Sequence, residues 1–222
     1  MHNSLQKLTL VKNKINEIIN QKQLKTNPII IVVSKTFTLE KIKPLIDSGH
    51  AHFGENKIQE AELKWSEIKN LNNNLKLHMV GSLQSNKAKK AVKLFDFIHS
   101  LDNEKLAIKI SQSEKELNKK IKLFIQVNLG DEKQKSGVSL KHLSDFYSYC
   151  SKDLLLDVIG LMCIPPMNFN SEKYFKILKD EVDKLNLKEL SMGMSSDFEN
   201  AIINGSSYLR LGTAILGERK IR

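Results

Sequence analysis

The sequence predicts an α/β protein: a (β/α)8 barrel of the TIM type in one domain, residues 1–222, opening with an N-terminal helix. Three observations predict it. Short apolar runs alternate with helical patterns eight times along the chain, the signature of parallel βαβ units. The first run, IIIVV at 29–33, is five consecutive β-branched residues, which suits a strand buried on both faces. The chain has 222 residues, close to the roughly 250 that such a barrel takes, and no linker divides it.

The elements follow in order. The opening stretch MHNSLQKLTLVKNKINEIIN puts Leu8, Val11, Ile15, Ile18 and Ile19 on one helical face. Strands are expected at 29–33, 51–53, 76–80, 96–99, 121–128, 156–161, 189–192 and 207–211. Helices are expected near 39–48, 56–69, 86–94, 103–118, 140–150, 171–185 and 196–204. A right-handed series of eight such units closes into a barrel. The second and fourth strands, AHF and DFIH, are short, which keeps an open doubly wound sheet as the alternative. NLNNN at 70–74 and NLGDEKQKSG at 128–137 read as loops.

Composition narrows the function classes. At 41% hydrophobic residues the chain can build a core, yet no run of 18 apolar residues occurs, so no membrane span is expected. The N-terminus is amphipathic rather than built like a signal peptide. Cys150 and Cys163 match no metal or redox spacing, and so few cysteines fit a reducing cytoplasm. The net charge of +10 invites a nucleic-acid partner, but the 32 lysines are spread along the chain among Glu and Asp. No arginine cluster or aromatic run accompanies them, so nucleic acid is not the expected partner.

In a parallel barrel the working face lies at the C-terminal ends of the strands. The residues just past each strand are Ser34-Lys35-Thr36, Gly54-Glu55-Asn56, Gly81-Ser82-Leu83-Gln84, Asn128, Gly193-Met194-Ser195 and Gly212-Thr213. A lysine at a barrel mouth, partly desolvated, can lose its proton and act as a nucleophile; the plainer reading of Lys35 is that it marks where the strand meets water. MGMSSDF and LGTAILG each put glycine and a hydroxyl residue at a strand end before a helix, the pattern of a phosphate cradle or of ordinary βα turns. Arg210, one of three arginines, lies within the apolar strand YLRLGT, facing opposite to Leu209 and Leu211. A fixed acceptor on a ligand and a structural salt bridge both account for it. His50 and His52 could share a strand face as metal ligands, but no third ligand follows, and no metal is expected. His78, in KLHMV, suits either a ligand contact or a core histidine. The segment EKQKSG, with Lys133, Lys135 and Gly137, reads as a mobile anion-binding loop or as a solvated one.

A nucleophilic lysine, a phosphate cradle and a buried arginine would all be used by a ligand with an aldehyde, a phosphate and a ring nitrogen. Pyridoxal 5′-phosphate is such a ligand. The segments VVSKT, HFGENKIQEA, HMVGSLQSNKAK, IHSLDNEKLA, IQVNLGDEKQKSGV, GLMCIPP, LSMGMSSDFENAI and LRLGTAILGER together resemble the pyridoxal phosphate homeostasis protein family, in order from Lys35 to Arg219. The resemblance implies a barrel related to the N-terminal domain of alanine racemase that binds pyridoxal phosphate without an established reaction. It implies Lys35 as the Schiff-base lysine, Arg210 facing the pyridine nitrogen, and Ser195, Gly212 and Thr213 on the phosphate. Asn56 and His78 match pocket positions near the ring. Two departures, Leu77 where an aromatic is common and Ser196 where Asp is common, touch neither the lysine nor the cradle.

An arginine at the ring nitrogen disfavours the pyridinium form, and the unprotonated ring that remains is a poorer electron sink. A racemase can work this way but needs a second acid–base group across the substrate. In the alanine racemase family that group comes from a partner subunit, in a pocket involving a second domain, while these 222 residues are used by the barrel and its helix. The expectation is therefore a monomeric cytoplasmic carrier or regulator of pyridoxal phosphate, serving apo-enzymes that accept the cofactor, with no catalytic residue assigned. A racemase-like enzyme is the alternative, and a Schiff-base aldolase a more distant one.

Overall fold

Eight parallel strands form a closed ring, each hydrogen-bonded to a neighbour on both sides. The computed structural model describes residues 3–130, 136–166 and 170–218. In chain order the elements are α1 (Asn3–Gln21), β1 (Ile29–Val33), α2 (Leu39–Asp47), β2 (His52–Glu55), α3 (Ile58–Leu71), β3 (Lys76–Met79), α4 (Ala88–Leu94), β4 (Phe97–Leu101), α5 (Glu104–Leu117) and β5 (Lys122–Asn128). There follow β6 (Val138–Ser139), α6 (Leu140–Ser148), β7 (Asp157–Met162), α7 (Ser171–Lys184), β8 (Glu189–Ser191), α8 (Phe198–Ile203), β9 (Tyr208–Leu211) and α9 (Thr213–Leu216). β9 pairs β1 in register, Ile31 opposite Arg210, and β4 pairs β5, so the ring has no free edge and the open sheet is excluded. The two-residue β6 is a side branch on the end of β5.

Side chains alternate between the two faces of each strand. Ile31, Phe97, Phe124, Met162 and Tyr208 meet inside the ring as a small core of their own. Their neighbours Val32, Ile98, Leu123, Ile125, Leu161 and Leu209 belong to the larger core under the helices. This is why IIIVV carries no polar position: both faces of β1 are covered. Each large side chain so buried contributes about 1.5–3 kcal/mol. In α1, Leu8, Val11, Ile15 and Ile18 form the buried stripe expected from their spacing. Asn103 and Asn170 cap α5 and α7 by accepting from the amides of Leu106 and Glu172.

The differences from the expected elements are small. β2 extends to Glu55 and β4 to Leu101, so the two strands that look weak in sequence are complete. A short helix, α9, follows β9, and a π-helical turn at Tyr149–Asp153 extends α6. Among the described residues no helix is long and apolar enough to cross a membrane.

Candidate functional site

β1 sends Ile31 into the ring, so Val33 and then Lys35 follow on the same side and Lys35 arrives, half-buried, at the C-terminal mouth. There it is shared by two adjoining cavities. One, of about 300 Å³, is walled by Val33, Phe37, Met194, Arg210, Gly212 and Thr213. The other, of about 390 Å³, is walled by Asn56, Gly81, Ser82, Gln126, Asn128 and Ser136. Val80 and Ile164 line both.

The turn that carries Lys35 is held from outside the ring. Thr36 takes a left-handed φ of 68° and its amide donates to Glu60 Oε1 at 2.5 Å. Ser34 and Glu55 face the helices, where Glu55 is fully buried. Its Oε1 accepts from Ser34 Oγ at 2.8 Å, Lys64 Nζ at 2.9 Å and Trp65 Nε1 at 2.9 Å. Lys64 also donates to the Ser34 carbonyl and to Glu60. A buried ion pair is costly to leave half-made, so this cluster fixes where β1 ends and hence where Lys35 stands. The sequence places Glu55 on the rim and gives no role to Lys64 or Trp65. The discernible signal is phase, since Glu55 alternates with Gly54 and Asn56.

Asn56 comes forward into the mouth. Its Oδ1 is buried and has no hydrogen-bond partner among the described residues. Gly81 packs against it so closely that an added Cβ would lie 2.5 Å from the Asn56 carbonyl oxygen, so only glycine fits. An unsatisfied acceptor in a cavity wall costs free energy until a donor arrives, and this fits a ligand rather than a packed core.

On the opposite wall, Gly193 turns the chain after β8 with a φ of 90°, where a Cβ would meet Ala201 at 2.5 Å. Asp197 accepts from the Met194 amide at 2.6 Å, and Ser195 Oγ accepts from the Ala214 amide at 3.1 Å, tying this turn to α9. The amides of Ser195 and Ser196 make no hydrogen bond with the described residues, and both residues line the cavity beside Gly212 and Thr213, so Ser196, expected to lie apart from the cradle, is part of it. Free N–H groups converging on a cavity suit a phosphate. The cradle expected from the last two strand ends thus has its parts in one place.

Arg210 points inward from β9 and is 5% exposed. It donates to Ser191 Oγ at 2.7 Å and to the Cys163 carbonyl at 2.8 Å. No carboxylate among the described residues pairs with it, so the salt-bridge explanation does not apply. Burial pulls its pKa below the ordinary guanidinium value, while the nearby Asp197 opposes that shift.

His78 lies elsewhere. It is fully buried inside the ring, stacked on Phe97 with centroids 4.2 Å apart and hydrogen-bonded to His52 and His99 at 2.9 Å each. It lines neither cavity, so of the expected site residues Lys35, Asn56, Ser195, Arg210, Gly212 and Thr213 reach the mouth and His78 does not. Of the supposed metal pair, His52 Nδ1 is engaged by His78 and His50 Nε2 by the His52 carbonyl. The segment 131–135, with Lys133 and Lys135, lies outside the described residues.

The model of a family described as alanine racemase, N-terminal domain, matches residues 11–220. A pyridoxal phosphate homeostasis protein of Aquifex aeolicus strain VF5 is 38% identical over 200 residues, 86% of this chain and 87% of the relative. Its counterpart in Escherichia coli K12 is 32% identical over 199 residues, 86% and 85% of the two chains. Among solved structures, PipY of Synechococcus elongatus PCC7942 with PLP bound superposes with a TM-score of 0.77 at 34% identity, covering 91% of this chain and 100% of that one. With nearly the whole chain matched, and a barrel of the same architecture, this protein belongs to the pyridoxal phosphate homeostasis protein family, within the larger family of alanine racemase N-terminal domains.

Proposed function

We propose that this chain binds pyridoxal 5′-phosphate at the barrel mouth and serves vitamin B6 and amino-acid homeostasis rather than amino-acid turnover. One observation carries the reading: among the described residues lining the mouth, Lys35 and Arg210 are the only ionisable side chains. When bound, the cofactor supplies an aldehyde reactive toward amines and a pyridine ring that can accept electron density. Lys35 Nζ is the primary amine that holds the aldehyde as a Schiff base. The amides of Ser195 and Ser196, with Gly212 and the Thr213 hydroxyl, bind the phosphate. Arg210 faces the ring nitrogen as a permanent donor and keeps a proton off it. Asn56 Oδ1 accepts from a donor on the ligand.

A second proton carrier, which racemisation needs, is missing from the described part of this wall. The Cys163 thiol and the Tyr208 hydroxyl are each pushed up to about 12 by burial, and neither lines the mouth. The names of the relatives, and PipY with PLP bound, support the same reading. Residues 1–222 act as one cofactor-binding domain, a cytoplasmic monomer that delivers to apo-enzymes. The test is borohydride reduction of the cofactor-loaded protein, followed by digestion and mass spectrometry. A phosphopyridoxyl adduct on Lys35 is expected; an adduct only on another lysine would overturn the assignment.

A further inference from the structure

Below the mouth, a line of hydrogen bonds leaves Arg210 and runs down the inside of the ring. Ser191 Oγ is 2.7 Å from Arg210 and 2.8 Å from His99 Nδ1. His99 Nε2 is 2.9 Å from His78 Nδ1, and His78 Nε2 is 2.9 Å from His52 Nδ1. The four groups come from β8, β4, β3 and β2. We propose that Ser191, His99, His78 and His52 form a relay whose donors all point away from Arg210, so that oriented neutral groups position the buried guanidinium in place of a counter-ion.

The direction follows from counting protons. Arginine only donates, so Ser191 Oγ accepts from it. Ser191 is fully buried, and its other side-chain partner is His99. Were His99 Nδ1 to carry the hydrogen, the serine hydroxyl would receive two donors and its own proton would have no acceptor. A buried donor left without an acceptor is destabilising. The serine therefore donates to Nδ1 of His99. A neutral imidazole has one donor and one acceptor, so His99 donates from Nε2 to His78, and His78 from Nε2 to His52.

Neutrality follows from the surroundings. His78 and His99 are fully buried, and burial holds both far below the usual imidazole range; His99 is lowered further by Arg210 and His78 by its histidine neighbours. A charged ring would also add a second positive charge one serine away from the guanidinium. The ring planes are fixed by stacking, His78 on Phe97 at 4.2 Å and His99 on Phe124 at 4.3 Å. Every link then turns its negative end toward Arg210, and successive links polarise one another. The relay ends on His52 Nε2–H, which hydrogen-bonds none of the described residues, and His52 lines a cavity of about 310 Å³ with Lys12, Asn16 and His50 at the opposite end of the barrel.

The relay is a property of this chain whatever the mouth binds. Its consequence for the cofactor, a guanidinium fixed toward the ring nitrogen, rests on the function proposed above. The test is therefore made on the protein itself. Imidazole ¹⁵N NMR of histidine-labelled full-length chain, with signals assigned through His52→Gln, His78→Phe and His99→Phe, should show His52, His78 and His99 as neutral Nε2–H tautomers. An Nδ1–H tautomer or an imidazolium at His78 or His99 in the wild type would overturn the proposal, and this measurement needs no variant beyond those used for assignment. Arg210→Met, which removes the directing donor, should allow Nδ1–H tautomers to appear, whereas Arg210→Lys should retain the wild-type pattern. An unchanged pattern in Arg210→Met would show that Arg210 does not set the direction. A failure of this test leaves the cofactor assignment intact, and a failure to find the Lys35 adduct leaves the relay intact.

Discussion

The guanidinium of Arg210 meets the hydroxyl of Ser191 at 2.7 Å inside a barrel where no described carboxylate pairs with it. The two residues lie on adjacent strands, β9 and β8, and both face inward. A permanent charge held by neutral groups leaves its remaining donors available to a ligand, and this bears on what the mouth recognises.

Thr213→Ala should remove the charge-assisted hydrogen bond that the proposed cradle gives the phosphate. The expected loss in pyridoxal phosphate affinity is about 1–3 kcal/mol. Arg210→Leu should change the absorbance of the bound cofactor more than the phosphate affinity. Spectroscopic titration checks both, and wild-type behaviour in both variants would place the cofactor elsewhere.

Lys64→Met strands the Glu55 carboxylate, which is 0% exposed, without its ammonium partner. Breaking a buried pair from one side costs about 3–5 kcal/mol. Urea denaturation should show a loss of that size, and the Lys35 adduct should form more slowly because the turn it sits on is loosened. A loss under about 0.5 kcal/mol, typical of surface changes, would show the pair to be dispensable.

Acid should weaken the fold before most carboxylates titrate. Burial lowers His50 from 6.5 to about 4 and holds His78 and His99 well below 6.5. In the unfolded chain these rings protonate near the usual value of about 6.5. Between that pH and the folded values the unfolded chain binds more protons, so the stability present above pH 6.5 falls as pH drops. The slope is about 1.4 kcal/mol per pH unit for each such ring. The urea midpoint should therefore be lower near pH 5 than near pH 7.5, with a shallower fall in His50→Gln. Equal slopes in the two proteins would remove His50 from this account.

Amino acids should exchange at Lys35 without being turned over. Incubation of the loaded protein with L-alanine in deuterium oxide, read by NMR and chiral chromatography, should give α-deuteration no faster than free cofactor gives. Incorporation at about 1 s⁻¹ or above, the low end of enzyme turnover, and lost in Lys35→Ala, would make the racemase-like reading the better one.

How much of this is written along the chain varies from residue to residue. The phase of IIIVV-Ser-Lys places Lys35 on the inward side at a strand end, because side-chain direction in a strand is a local, two-residue property. For the same reason Arg210 could be set opposite Leu209 and Leu211, and the hydroxyl and glycine residues after the last two strands could be grouped. Sequence alone thus determines the barrel's alternation and the side on which each candidate lies. It does not determine which inward residues meet. The strand KLHMV leaves His78 open to a ligand contact or a core position, and register decides for the core: it lies below the mouth, level with Gly54 and Phe97. Its bonds to His52 and His99 exist only because β2, β3 and β4 stand side by side. The Glu55–Lys64 pair is likewise decided by how α3 folds back over β2. Register and ring closure are set by hydrogen bonds between segments far apart in sequence, and height along the barrel axis follows from them. That height separates the residues that line the mouth from those that support it beneath.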